Sequence, residues 1–406
     1  MNFNTFLHLP LSNDFSVPHK QTIMVLQQRT QEIREHFAHK DFDLAYSTLL
    51  DCVLDSENLA LFERIIANEH WKEQHPAHTS EDWLQKCEAI VDALEELHLP
   101  ERQRNESLLN CEGLVKTYAR GNFKLGPVSF HIRPGQLIGL VGENGNGKTT
   151  LLRILAKEIT FDSGSLHYHN EGDFLNDFDH RTKLVYIPQR TQKWYGKIRT
   201  NLRFCATHYG IMGRHNELLV EMMMIRFGLF KFRDLNWSEL SSGYKMRFEL
   251  ARTFLRRPEI LLLDEPLANL DVFAQQIVLN DLRSLAKSSY NPIGIILSSQ
   301  QLFEVEKVAD EVLFLKNGAP KLLENENQNT TSKCVVELET TANRDAIKEV
   351  LATISDVEIH FNGGMYVISS SSKSPNEILE KLISGHVPVN YFRNISESSK
   401  RFFVAN

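Results

Sequence analysis

Gly142-Glu143-Asn144-Gly145-Asn146-Gly147-Lys148-Thr149-Thr150 fits the pattern G-x-x-x-x-G-K-[ST] without a mismatch. The apolar run Leu137-Ile138-Gly139-Leu140-Val141 leads into it as a predicted buried strand, and Leu151-Leu152-Arg153-Ile154-Leu155 leaves it as a predicted helix. In that setting the glycines let backbone N–H groups curl around a polyphosphate. Lys148 then reaches the outer phosphates, and the Thr149 hydroxyl suits Mg²⁺. A glycine-rich loop that only connects a strand to a helix has no need of Lys-Thr at that place. Residues 142–150 are therefore predicted to hold a nucleotide's phosphates.

A second cluster lies further along. Ile260-Leu261-Leu262-Leu263 reads as a core strand and ends in Asp264-Glu265. Ligands of open α/β sheets bind at the carboxyl ends of such strands. Asp264 suits the Mg²⁺ shell beside Thr149, because hard cations take oxygen ligands. Glu265, one residue on, is placed to orient or deprotonate an attacking water. The plain alternative, an acidic turn at a strand end, loses ground once a phosphate loop stands in the same region.

The bulk numbers bound the setting. At 406 residues the chain has room for two or three domains, and 42% hydrophobic with 24% charged residues describes an ordinary globular protein. The net charge of −7, with no block of Lys and Arg, argues against a nucleic-acid partner. Cys52, Cys87, Cys111, Cys205 and Cys334 are scattered with no C-x-x-C, and are expected as reduced thiols of a cytosolic protein. No basic-then-apolar leader opens the sequence, and nowhere do about 18 apolar residues run together. Action at a membrane is expected to need a partner.

Three regions separate by pattern: 1–106, 107–323 and 333–406. The first shows apolar residues at helical spacing over Gln21–His39, Asp43–Cys52, Ser56–Glu69 and Ser80–His98. Ser80 with Trp83 lacks a full capping box, while Glu81-Asp82 suit a first turn. Leu99-Pro100 closes that helix and 101–107 is a polar linker. This all-α extension carries no catalytic constellation and reads as a docking or spacer domain. In the second region the runs Val128–Ile132, Leu137–Val141, Leu184–Ile187, Ile260–Leu263 and Gly294–Leu297 are taken as continuous and apolar, the mark of a largely parallel central sheet covered on both faces. After a polar patch at 324–332, the third region reads as strand Cys334–Leu338, helix Asn343–Ile354, strand Val357–Phe361, turn Asn362-Gly363, strand Met365–Ser369, helix Pro375–Ser384 and strand Val387–Arg393. That β-α-β-β-α-β order predicts a small ferredoxin-like α+β module.

Over roughly Leu108–Leu323 the chain resembles the ATPase subunits of ATP-binding-cassette (ABC) transporters. The resemblance implies a P-loop NTPase core with a helical subdomain, ATP and Mg²⁺ as cofactors, and catalysis by Glu265, Gln189, Lys148 and a residue at position 300. Gln189, in Tyr186-Ile187-Pro188-Gln189, matches the glutamine that contacts Mg²⁺ and the attacking water. Tyr118 stands where the family has an aromatic on adenine, though a plain turn tyrosine is the competing reading. Leu240-Ser241-Ser242-Gly243-Tyr244 matches the signature usually written LSGGQ and opens a predicted helix, Tyr244–Leu255, whose N-terminus favours an anion. Ser241 and Gly243 are thereby implied to touch the ATP of the opposite subunit, with Leu267-Ala268-Asn269-Leu270-Asp271 packing across a homodimer or heterodimer. The implied partner is a separately encoded transmembrane permease, and the implied place is the inner face of the cell membrane. The tail from Val387 to Phe403 looks like that of drug- and polysaccharide-type exporters.

Two departures stand out. Ser242 and Tyr244 replace the usual Gly and Gln of the signature. In Leu297-Ser298-Ser299-Gln300-Gln301-Leu302, Gln300 takes the place of the family's histidine. A glutamine can hydrogen-bond a phosphate but carries no charge and moves no proton, so turnover is expected to be slow. A cassette that binds ATP as a signal, with little hydrolysis, is the alternative function. Lesser features draw bland readings: His167 and His169 as an exposed strand face, Met222–Met224 as core, and Lys231-Phe232-Arg233 as a solvated charge pair. Trp194-Tyr195 reads equally as a permease anchor or as packed beneath the helical subdomain.

Overall fold

Helical spacing at the start of the chain yields α1 (Lys20–Ala38), α2 (Phe42–Ser56), α3 (Leu59–Gln74) and α4 (Ser80–Glu95). The computed structural model describes residues 20–97, 106–118, 123–169, 183–288, 291–323, 334–354, 356–362 and 365–396. Each later helix starts on its own cap. Asp41 accepts from the Leu44 N–H, and Asn58 from those of Ala60 and Leu61. The α4 cap is Thr79, one residue before the one expected from the sequence. Its hydroxyl accepts from the Asp82 N–H at 3.1 Å while the Asp82 carboxylate accepts from the Thr79 N–H at 3.0 Å, a full capping box.

The rest of the chain runs β1 (Leu109–Tyr118), β2 (Phe123–Ile132), β3 (Leu137–Val141), α5 (Lys148–Leu155), β4 (Ser163–Tyr168), β5 (Leu184–Ile187), α6 (Ile198–His208), α7 (Gly213–Arg226) and α8 (Ser242–Phe254). It continues through β6 (Ile260–Leu263), α9 (Val272–Ala286), β7 (Gly294–Ser299), α10 (Leu302–Glu306), β8 (Glu311–Lys316) and β9 (Ala319–Leu323). The chain divides into two compact units. One comprises Met1–Arg104, Ile198–Asp234 and Ser289–Asn291; the other comprises Asn105–Lys197, Leu235–Ser288 and Pro292–Asn406.

In the first unit, α7 packs on α2 and α3. Phe62, Ile65, Leu49 and Val53 are fully buried there, as are Met222 and Met224, so the methionine run is core. Polar clamps join the two stretches. Arg226 donates to both carboxylate oxygens of Asp51, at 2.6 and 3.1 Å. Arg214 donates to Glu63 at 2.9 Å, and Asn291 donates to Asp55, which also receives Arg29 at 3.0 Å. Burial pushes the Asp55 carboxyl up, against the pull of Arg29. Arg233 pairs with both oxygens of Glu73 at 2.6 and 2.9 Å and lies 4.4 Å over the Phe230 ring. The solvated pair expected at 231–233 is thus corrected: Arg233 is engaged, because Glu73 of α3 and the Phe230 ring of its own turn meet it.

In the second unit, a six-stranded sheet has the order β5-β6-β7-β3-β8-β9, parallel except for β9. β3, β6 and β7 are buried along their whole length, as continuous apolar strands should be. Val128–Ile132 is the exception among the expected central strands. It lies in β2, within an antiparallel sheet of order β2-β1-β4. Ser129 is exposed between buried Val128 and Phe130, so the stretch alternates and covers one face only. The two sheets share a core containing Leu114, Ile132, Leu140, Leu152 and Leu262.

The last module of this unit is β10 (Cys334–Glu339), α11 (Arg344–Leu351), β11 (Glu358–Asn362), β12 (Met365–Ser370), α12 (Pro375–Ser384) and β13 (Tyr391–Asn394). Its sheet order is β11-β12-β10-β13, antiparallel throughout, so each strand–helix–strand unit is split by a strand of the other. Ile347, Leu351, Ile378 and Leu382 cover one face. Asn362 is still a strand residue, paired with Met365, and the expected turn glycine Gly363 lies outside the described residues. β13 starts at Tyr391 rather than Val387, because Pro388 has no N–H for the ladder. The exporter-like tail beyond residue 396 is likewise outside the described residues. None of the five cysteines is in a disulfide, and all are buried.

Candidate functional site

The loop after β3 owes its shape to its glycines. Gly145 and Gly147 adopt left-handed φ values of 83° and 97°, a region that costs a side chain strain. Gly147 is the N-cap of α5 and offers no side chain to the first-turn N–H groups, which also lack intrahelical acceptors. Those donors and the helix dipole are left for an anion. Glu143, Asn144 and Gly145 are exposed, whereas Asn146 turns inward and accepts from the Asn317 N–H at 3.1 Å. Thr150 is half-buried in the first turn.

Lys148 is 4% exposed, and its ammonium donates to the carbonyls of Gly142 at 2.6 Å and Glu143 at 3.2 Å. Its third partner is Glu265 Oε1 at 3.1 Å. The other oxygen of Glu265 accepts from the side-chain amides of Gln189 at 3.0 Å and Gln300 at 2.8 Å. Beside this group, Asp264 Oδ2 accepts from the Thr149 hydroxyl at 2.8 Å and the Tyr186 hydroxyl at 3.2 Å. Burial, together with the Asp264 carboxylate, pushes the Tyr186 phenol well up, so it remains a donor. The fold thus brings six of the sequence-predicted residues together: Lys148, Thr149, Gln189, Asp264, Glu265 and Gln300. They come from α5 and from the ends of β5, β6 and β7, which the parallel sheet delivers to one edge.

Two further residues belong to the cluster and escaped the sequence reading. Tyr186 is one. The other is Ser298, wholly buried, whose hydroxyl donates to Asp264 Oδ1 at 2.9 Å and accepts from the Glu265 N–H at 2.8 Å. The sequence signal is the pair Ser298-Ser299 closing an otherwise apolar core strand.

The remaining predicted residues are engaged elsewhere. Tyr118 ends β1, 37% exposed, with its ring 6.4 Å from that of Phe123. Ser241 caps α8 by accepting from the Tyr244 N–H at 3.4 Å, so the helix begins at Ser242, two residues before the expected start. Gly243 lies in that first turn, and a side chain there would stand 3.0 Å from Ala274 Cβ. The Ser242 hydroxyl donates to the Asn269 carbonyl, tying this turn to the loop before α9. Trp194 is packed, donating to Glu249 and crossing the Phe248 ring, while its neighbour Tyr195 is 87% exposed. His167 and His169 are both exposed. Among the described residues no cluster of three or more His, Cys, Asp or Glu is arranged to hold a metal, and no helix is long and apolar enough to cross a membrane.

Chemically, the arrangement offers one rotatable cation among backbone donors, and next to it two hard oxygens, Thr149 Oγ1 and Asp264 Oδ2. That donor set fits a polyphosphate with a bound Mg²⁺. Glu265 holds a left-handed φ of 48°, a non-glycine conformation that costs about 1–3 kcal/mol and is common at functional sites.

Residues 125–268 match the ABC transporter family profile. An uncharacterized ABC transporter ATP-binding protein of Bacillus subtilis (strain 168) is 32% identical over 213 residues, covering 52% of this chain and 68% of that protein. A phosphonates import ATP-binding protein of Treponema denticola is 27% identical over 224 residues, 52% of this chain and 87% of the relative. A Nod factor export ATP-binding protein of Burkholderia thailandensis is 32% identical over 192 residues, 47% of this chain and 62% of the relative. A relative 32% identical and covered over 68% of its length, together with the family profile over residues 125–268, shows that the chain belongs to the ABC transporter family, as an ATP-binding protein.

Proposed function

We propose that this protein binds Mg-ATP at the Lys148 cluster, dimerises around it and hydrolyses it, driving a separately encoded permease from the cytoplasmic face of the cell membrane. One observation carries this reading: Lys148, Thr149, Asp264, Glu265 and Gln189 meet at one edge of the parallel sheet, with Lys148 and Glu265 paired 3.1 Å apart. Mg²⁺, when bound, supplies charge neutralisation to the phosphates. The chain's own residues do the rest. Lys148 exchanges Glu265 for phosphate oxygens, and Thr149 and Asp264 hold the cation with Gln189 assisting. Glu265, freed from its ammonium, takes a proton from the attacking water, and Gln189 holds that water in place.

Ser241 and Gly243 of one subunit meet the outer phosphate bound by the other. The dimer is then linked to the presence of that phosphate, and hydrolysis releases it. Tyr118 stacks on the base. The relatives carry both import and export names, and the resemblance of the sequence from Val387 to Phe403 to the tails of export ATPases favours export for this chain. The division into 1–106, 107–323 and 333–406 goes with this reading, the first region serving as a docking or spacer element.

Replacing Glu265 by Gln removes the proton acceptor and leaves the binding groups in place. Sedimentation is expected to find an ATP-dependent dimer of Glu265→Gln. A variant that stays monomeric at saturating Mg-ATP overturns the sandwich.

A second reading, a binding switch with little turnover, draws on Gln300. Its amide donates to Glu265 at 2.8 Å, where an uncharged donor cannot move a proton. Steady-state ATP turnover with and without the membrane partner separates the two readings.

A further inference from the structure

The geometry points to Ser298 as a positioning residue that locks the two carboxylates, Asp264 and Glu265, into one working arrangement; this rests on the Mg-ATP reading given above. Parallel pairing sets Leu263 opposite Leu297 and Leu140 opposite Ser298. Ser298 therefore stands beside the turn that carries both carboxylates and beside the strand that enters the phosphate loop. It has no exposed surface, so its hydroxyl must find its partners inside the protein.

The direction of both bonds is forced. A backbone N–H can only donate, so the hydroxyl oxygen accepts from Glu265 at 2.8 Å. The hydroxyl's single hydrogen then points to Asp264 Oδ1, 2.9 Å away. The first bond holds the peptide that enters the left-handed Glu265. The second turns the other oxygen of Asp264, Oδ2, toward Thr149. One hydroxyl, wholly buried, thus sets the spacing between a cation-holding group and a water-activating group.

The closing experiment compares Ser298→Ala, Ser298→Cys and Ser298→Thr in the full chain. Calorimetry measures ATP affinity with Mg²⁺ and with EDTA, and steady-state assays separate kcat from KM. A hydrogen bond to a charged group corresponds to roughly 10- to 100-fold in an equilibrium or rate. Ala and Cys, which lack a strong donor, are expected to lose about that factor in kcat and most of the Mg²⁺-dependent gain in affinity. Their affinity in EDTA should stay within about two-fold of wild type, since the backbone cradle is intact. Thr, which keeps the hydroxyl, should behave as wild type. Ser298→Ala with unchanged kcat and Mg²⁺ dependence overturns the inference, as does Thr falling together with Ala, or an equal loss in EDTA, which marks a general packing role. Wild-type protein that binds no Mg-ATP overturns this inference together with the function proposed above. Retained binding in wild type with no effect of Ala overturns this inference alone.

Discussion

Both units of the molecule bury a cation against a carboxylate, and the two pairs are built to opposite ends. In the helical unit, Arg226 and Asp51 are 1% and 9% exposed and meet through two parallel hydrogen bonds. A planar guanidinium fits a carboxylate in this way and has no reason to leave. In the sheet-containing unit, Lys148 and Glu265 are 4% and 10% exposed, but the bond is a single one from a rotatable ammonium. The Lys148 ammonium has two backbone carbonyls in reserve, and Glu265 has two glutamine amides. Either partner can therefore let go without being stranded. Similar burial supports a fixed clamp in one place and an exchangeable contact in the other, and the difference lies in donor geometry and in the neighbours.

The comparison can be broken most directly by truncating the clamp. Asp51→Ala leaves the Arg226 charge buried without its carboxylate and is expected to cost about 3–5 kcal/mol. Denaturant unfolding followed by circular dichroism reads this as a lowered midpoint. Lys148→Met, by contrast, should lower stability by less than about 1.5 kcal/mol, because Glu265 keeps its amide donors, while abolishing measurable ATP binding. Equal destabilisation by the two variants would contradict the distinction.

Gln300→His tests the exchangeable side. Restoring a group that can carry charge and a proton next to Glu265 is expected to raise the ATPase rate of the assembled complex by about 10²-fold. An unchanged rate would show that Gln300 does not limit hydrolysis. The smallest effect belongs to the helical unit: Thr79→Ala deletes one half of a capping box and should cost about 1 kcal/mol of stability, with ATP affinity unaltered. A change in ATP affinity in that variant would show that the helical unit is not merely a scaffold.

How far the sequence could be read follows from how local each feature is. The glycine-rich loop between strand and helix was legible because its glycines, Lys148 and Thr149 lie within nine consecutive residues and need only the strand and helix on either side. Asp264 and Glu265 were legible because an apolar run announced the strand that ends in them. Val128–Ile132 differs from the expected central strand because Ser129 and His131 interrupt its apolar run and mark a strand with one covered face. The cap of α4 was missed by one residue because the box runs from Thr79 to Asp82.

By itself the amino-acid order picked out the groups proposed to bind a phosphate and a hard cation, since that chemistry is carried by short runs with a fixed backbone path. Only the tertiary structure decided that Ser298 serves Asp264 and Glu265, and that Gln189 and Gln300 share one oxygen of Glu265. The same holds for Arg226, whose partner Asp51 stands 175 positions away in the chain. The reason is physical: a side chain's partner depends on strand order and helix packing, and these are set by burial summed over whole elements, which no short stretch encodes.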